Sequence, residues 1–238
     1  MSIRAVFFDL GGTLFSYGAL RVHFEDALDG FSRALDLSTS PEELRRRYQA
    51  SVASVMAEYA GRPYYLHRDL FAAAHARLLS DLGVVAGGEA AAPVGLSAGP
   101  EGLGLEHVTP RRGTREMLQR LRDAGLHLAI VSNIDEDQFE AIWSRLGLAD
   151  CFDATTTSEE ARSCKPHPGI FETALSKACV PAEAVVFVGD SLHHDVAGAN
   201  AMGMRSVLLS RTAPAPGASL APDHVIEDLR ELPDLLLS

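Results

Sequence analysis

The sequence predicts an α/β protein, a doubly wound parallel sheet with an all-helical insertion, on three observations. The chain starts with Val6-Phe7-Phe8-Asp9-Leu10-Gly11-Gly12-Thr13-Leu14, an apolar run that delivers a carboxylate to a glycine turn. Strands of a parallel sheet are covered on both faces and therefore read as unbroken apolar runs. From residue 112 onward, further apolar runs alternate with segments of helical period, the pattern of right-handed βαβ units. Between these regions, residues 16–82 carry helical stretches and no convincing strand.

The elements follow in order. In the insertion, Pro41-Glu42-Glu43-Leu44 opens a helix with an acidic first turn after the capping residue Ser40. A second helix runs over 69–82 through Phe71 and Leu78. Residues 83–105 are rich in Gly, Ala and Pro with almost no charge, which reads as a linker or irregular excursion. A helix over 114–124 places Met117, Leu118 and Leu121 on one face and stops at Gly125. Strands are predicted over 126–131, 152–156, 185–188 and 206–209, with helices over 135–146, 167–179 and 195–202 between them. The expected organisation is a sheet domain from 1–15 and 106–238, with the helical insertion at 16–82.

A chain of 238 residues with 47% hydrophobic and 22% charged residues is long enough to bury a substantial core. Its 32 acids and 21 bases leave a net charge of −11, so neither nucleic acid nor an anionic membrane is an expected partner. Cys151, Cys164 and Cys179 form no Cys-x-x-Cys pair, and an odd number closes no disulfide framework. Asp9 interrupts the only apolar stretch near the start, and no run approaches the length that spans a bilayer. The expected location is cytoplasmic, as a monomer or homodimer.

Chemistry-bearing residues gather where the strands end. Asp9 closes the first strand, Val131-Ser132-Asn133 the second, and Gly189-Asp190-Ser191 the fourth, with Asp195 just beyond. Cys164-Lys165-Pro166-His167-Pro168 lies in the loop before the helix at 167–179. Lys165 is one of two lysines in a chain with 21 basic residues. In open α/β sheets the crevice at the carboxyl ends of the strands is where ligands bind. In combination these motifs resemble the haloacid dehalogenase (HAD) superfamily, over nearly the whole chain. The resemblance implies a Rossmann-like core, with the insertion as a helical cap of the C1 type.

It also implies roles. Asp9 would attack phosphorus and form an aspartyl-phosphate, splitting one hard displacement into two. Mg2+ would be held by Asp9, Asp190 and the backbone carbonyl of Gly11. That requires the two carboxylates to lie within roughly 6 Å, given ~2.1 Å metal–oxygen bonds. Asp195 would orient metal-bound water or Lys165. Gly12, Thr13, Ser132, Asn133 and Lys165 would hold the phosphoryl oxygens. The implied substrate is a small phosphorylated metabolite.

One departure stands out. Most phosphatases of the superfamily carry a second aspartate two residues after the nucleophile, as acid and base, and here that position is Gly11. General acid–base catalysis contributes about 10²–10⁴-fold, so Gly11→Asp is expected to raise turnover on poor leaving groups. Three readings follow: a phosphatase, a weakly active or non-catalytic relative that binds a phosphorylated ligand or protein partner, and a metal-independent 2-haloacid dehalogenase. His23 and Glu25 are candidates to replace the acid. Arg62, Tyr64, Tyr65 and His67 are candidates for substrate recognition. His193 and His194 read as surface residues of a loop.

Overall fold

The computed structural model describes residues 2–35, 37–84, 104–215 and 218–238, without the side chains of 19–23. Most of the expected linker at 83–105 lies outside these residues. Among them, six strands form one sheet: β1 (Ala5–Phe8), β2 (His127–Ser132), β3 (Ala154–Thr157), β4 (Val185–Gly189), β5 (Arg205–Leu209) and β6 (His224–Ile226). Their order is β3-β2-β1-β4-β5-β6, and each neighbouring pair is parallel. β1 lies at the centre, in register with β2 from Ala5 opposite His127 and with β4 from Ala5 opposite Val185.

The four residues of β1 are fully buried because each face of the sheet is covered. Val6 and Phe8 pack with Met117, Leu118 and Leu121 of α4 (Thr114–Asp123) and with Phe139 and Ile142 of α5 (Glu136–Leu146). Ala5 and Phe7 pack on the opposite face, with Ile170, Phe171 and Ala174 of α7 (Pro168–Ala178) and Ala199 of α8 (Ala197–Ala201). Between β3 and α7 runs the single-turn α6 (Ser158–Ala161). The chain crosses from one side of β1 to the other between β3 and β4, so the order reverses at β1 and opens a crevice beyond its carboxyl end.

The insertion between β1 and β2 is helical, as expected: α1 (Gly18–Ala34), α2 (Pro41–Tyr59) and α3 (His67–Asp81). Ser40 caps α2, its hydroxyl accepting from the N–H of Glu43 at 3.2 Å. Leu28, Phe31, Leu44, Tyr48, Leu78 and Leu79 form the insertion's own core. No helix among the described residues is long and apolar enough to cross a membrane.

Three details correct the expectations. β6 was not foreseen, because it has three residues and only Ile226 is buried. The closing α9 (Leu232–Leu237) was also not foreseen. The helix expected over 195–202 begins instead as a wide π turn over Leu192–Val196 that runs into α8. Such turns leave room at functional sites.

Phe7 tests the sheet-centred core. Phe7→Ala is expected to lower the unfolding free energy by about 3–5 kcal/mol, read by urea denaturation. A loss below ~1 kcal/mol would mean that the surrounding residues collapse into the cavity, contrary to a core held rigid by the central strand.

Candidate active site

The turn after β1 is built to present one carboxylate. The N–H of Asp9 extends the sheet pairing by donating to the carbonyl of Val188 at 2.9 Å. Gly12 then takes φ +86°, where a side chain would be strained and a Cβ would lie 2.0 Å from Asp190 Oδ2. Its N–H donates to the carbonyl of Phe15, and Leu14 donates back to Leu10. Arg111 fastens the turn from outside, its guanidinium donating to the carbonyls of Thr13 and Gly12. Nothing in the sequence signalled that clamp.

Asp9 is 7% exposed, and its two oxygens are engaged differently. Oδ1 accepts from Lys165 Nζ at 2.7 Å and from the Ser132 hydroxyl at 3.3 Å, while Oδ2 accepts from the Thr13 hydroxyl at 3.1 Å. Lys165 Nζ also donates to Asp195 Oδ1 at 2.7 Å and to the carbonyl of Val131 at 2.9 Å. Its three protons are therefore all used. The Lys165 backbone is fixed by Asn133, which accepts from its N–H at 2.6 Å and donates to its carbonyl at 3.0 Å. Asp195, at the end of the π turn, accepts from the N–H of Ser191 at 2.9 Å.

Carboxylate oxygens of Asp9, Asp190 and Asp195 lie within 4.8 Å of one another, inside the 6 Å expected for a shared cation. Three carboxylates face one ammonium. Burial pushes the Asp9 carboxyl up, and Asp195 adds to the rise against the opposing pull of Lys165. Asp190 is pushed up to about 6 by burial and by the charges of Asp9 and Asp195. For Lys165, burial alone would lower the ammonium, but Asp195 and Asp9 outweigh it and hold it above the usual lysine range. Hard oxygen donors with surplus negative charge fit a hard divalent cation.

Above these charges the insertion supplies an apolar roof of Val52, Met56, Leu70 and Phe71, enclosing a crevice of about 280 Å³. Tyr65 and His67, two of the expected recognition residues, line it. Arg62 does not: it stacks over the Tyr59 ring at 3.9 Å and lines an adjoining cavity. Tyr64 lies beside Arg162, 5.9 Å from ring to guanidinium, and is likewise outside the crevice lining. Glu25 lines a different cavity and pairs with Arg45 at 3.4 Å, so it is no substitute acid. His23 belongs to α1, but its side chain lies outside those described. Two phosphate-binding expectations also change, since the Gly12 N–H is spent on Phe15 and the fully buried Thr13 hydroxyl is spent on Asp9.

Two titratable lining residues, His194 and Tyr17, are not candidates on the sequence alone. His194 was assigned to the surface but lines the crevice, 3.3 Å from the Ser191 hydroxyl. Burial lowers its imidazole, and Lys165 and His193 lower it further. Tyr17 sends its hydroxyl end in toward Asp9, Asp190 and Asp195, although the residue is 58% exposed. Burial and then these three charges hold the phenol well above its usual range. Neither residue has a periodic signature. The only hint of Tyr17 was the missing side chain at Gly11.

The insertion is anchored beside the site. Asp135, fully buried after β2, accepts from the first N–H groups of α3, His67 and Arg68, each at 2.8 Å. Burial alone would raise its carboxyl, but those bonds hold it below the usual range. Arg68 also reaches Asp137 at 3.4 Å and Glu159 at 2.5 Å, so the second acidic cluster, Asp135, Asp137 and Glu159, is bound by a guanidinium from the insertion.

Comparison with known proteins gives a consistent picture. The family model for haloacid dehalogenase-like hydrolases matches residues 3–203. A ribulose-1,5-bisphosphate 5-phosphatase from Halopiger xanaduensis is 30% identical over 98% of each chain. A haloacid dehalogenase-like hydrolase domain-containing protein 3 from Mus musculus is 39% identical over 50% of this chain, and the match spans about half of that relative (49%). The crystal structure of a 2-haloacid dehalogenase from Pseudomonas syringae pv. Tomato DC3000 superposes with a TM-score of 0.71 at 28% identity, covering 99% of this chain and 98% of the other.

The raised Asp190 carboxyl has a measurable sign. Its proton is held more tightly in the folded state, so the stabilisation is full below the usual carboxylate range and lost as pH rises through about 6. In the metal-free protein, Asp190→Asn is therefore expected to be the more thermostable form at pH 8, with the gap closing toward pH 4. Added magnesium should raise the wild-type midpoint and leave the variant behind. A variant no more stable than wild type at pH 8 would contradict the crowding of charge around Asp190.

Proposed function

Since the chain belongs to the haloacid dehalogenase-like hydrolases, we propose that it is a magnesium-dependent phosphatase of a small phosphorylated metabolite, with Asp9 as nucleophile. The observation that carries this reading is the trio Asp9, Asp190 and Asp195, with oxygens within 4.8 Å of one another around the single Lys165 ammonium. Two buried carboxylates and a third at the mouth of the crevice, with one cation among them, are short of positive charge. An anionic substrate adds to that deficit unless a divalent ion accompanies it.

In this reading Asp9, Asp190 and the carbonyl of Gly11 hold Mg2+. When bound, it screens the repulsion between the Asp9 carboxylate and a phosphate dianion and draws charge from the phosphoryl oxygens. Asp9 attacks phosphorus through the oxygen nearer the crevice and forms an acyl phosphate, which water then hydrolyses. The Lys165 ammonium, its three protons held by Asp9, Asp195 and the carbonyl of Val131, acts as a fixed point charge that offsets the negative charge gathering on the phosphoryl oxygens, and the Ser132 hydroxyl, 3.3 Å from Asp9 Oδ1, is the donor that turns to them. Asn133 positions Lys165 through its backbone, and Asp195 holds the ammonium from the other side. The roof of Val52, Met56, Leu70 and Phe71 lowers the local dielectric around the acyl phosphate and strengthens these electrostatic contacts, leaving room for the attacking water. A crevice of about 280 Å³ suits a small metabolite, and the name of the Halopiger relative supports a sugar phosphate.

The dehalogenase reading draws on the Pseudomonas structure and on Gly11, which lacks the second acid. Against it stands Asp190, a third carboxylate for which attack on carbon without metal has no use.

The test is phosphate release from sugar phosphates, nucleotides and acyl phosphates with and without magnesium, beside halide release from 2-haloacids. Magnesium-dependent phosphate release is expected, and Asp9→Asn should reduce it to background, because an amide is a poor nucleophile and a poor metal ligand. Wild-type rates in Asp9→Asn would refute the covalent mechanism. Metal-free halide release would establish the dehalogenase, and magnesium-dependent ligand binding without turnover would establish a non-catalytic relative.

A further inference from the structure

The position that lacks an acid is not empty. A Cβ built on Gly11 would lie 2.0 Å from the Tyr17 hydroxyl oxygen and 2.7 Å from the ring carbon that bears it. The positive φ of this turn falls on Gly12, so the backbone at Gly11 does not itself demand glycine. What demands a missing side chain there is the phenol. We infer that Tyr17 takes over the proton transfers of the reaction, its hydroxyl standing in the space that a side chain on residue 11 would occupy. This rests on the phosphatase reading of the same site and names a residue that reading leaves open.

Three features support it. Tyr17 lines the crevice together with Asp9, Ser132 and Lys165. Its ring is set edge-on against Phe15 at 5.4 Å, and the 1%-exposed Phe15 is itself bridged to Gly11 and Pro110, so the phenol belongs to the rigid turn that carries Asp9. Among the described residues its hydroxyl makes no hydrogen bond, which leaves it free to donate. Of the crevice's imidazoles, His194 sits 3.3 Å from the Ser191 hydroxyl, and His67 lies 3.5 Å from Asp135 without a hydrogen bond at Nδ1; neither stands in the space beside Gly11 that the phenol fills.

The chemistry closes. An Asp9 oxygen forms a bond to phosphorus as the ester P–O bond breaks, and the electron pair left on the departing oxygen takes the Tyr17 proton. An alkoxide is a stronger base than a phenolate, even one whose phenol is held above its usual range, so the proton passes to the departing oxygen as the P–O bond breaks. After the alcohol leaves, water attacks phosphorus and gives its proton to the Tyr17 phenolate. The bond from Asp9 to phosphorus then breaks, restoring both side chains and releasing phosphate.

Tyr17→Phe keeps the ring and its packing while removing the proton. On a sugar phosphate its kcat is expected to fall about 10²-fold, at the low end for a positioned acid. On p-nitrophenyl phosphate, whose leaving group needs no proton, the pre-steady-state burst of p-nitrophenolate should keep its wild-type rate even as the shared hydrolysis step slows, with KM similar on both. The expectation from sequence that Gly11→Asp alone speeds turnover is revised, since the new Cβ collides with the phenol. The gain on sugar phosphates should appear instead in Gly11→Asp/Tyr17→Ala, relative to Tyr17→Ala.

Equal losses in the rate at which the two leaving groups are released in the first turnover, or no loss on either, would overturn the assignment. So would a folded, magnesium-binding double variant that recovers nothing. If wild type releases phosphate from neither substrate, the phosphatase reading falls and this one with it. If wild type turns over and Tyr17→Phe matches it, only the role of Tyr17 falls.

Discussion

Lys165 holds the site together by standing between two buried carboxylates. Its ammonium meets Asp9 and Asp195 at 2.7 Å each and spends its last proton on the carbonyl of Val131. Ion pairs buried this deeply add little net folding free energy, because desolvation consumes the Coulombic gain. Removing one partner is far worse than never having the pair. The surrounding structure is arranged accordingly: Asn133 grips the lysine backbone, the π turn aims Asp195, and the glycine turn aims Asp9. Asp190 is the surplus charge, and its raised carboxyl records the positive charge still owed to the cluster.

Much of this was readable in the chain, and the reason is geometric. Asp9, Ser132 and Asp190 each end an apolar run, and in a parallel sheet all such ends point to one edge. Strand direction alone therefore gathers them. Sheet elements came within a residue or two of their expected limits, as with the strand expected over 126–131 and found at His127–Ser132. β6 escaped because a three-residue edge strand with one buried side chain has no pattern to read.

The insertion was less legible. Its helices were expected, but which of their faces looks down on Asp9 depends on how they pack on one another. Arg62, Tyr64 and Glu25, candidates by residue type, point elsewhere, whereas Val52 and Met56, which carry no functional signal in the sequence, help to form the roof. Tyr17 and His194 reach the crevice from irregular turns, where neither the helical nor the strand period applies. Local pattern reveals which face of an element is apolar. It does not reveal what a loop side chain meets across the fold.

The Asp135 contact has a mechanical consequence. The roof is joined to the sheet by the chain itself and also by two N–H groups of α3 held on a fully buried carboxylate. Lifting the roof straight off would strand that carboxylate without donors, at a cost of about 1–3 kcal/mol or more for a charged group. Tilting about the same contact keeps both bonds. Asp135 thus fixes the start of α3 at the loop after β2, the corner of the crevice that holds Ser132 and Asn133.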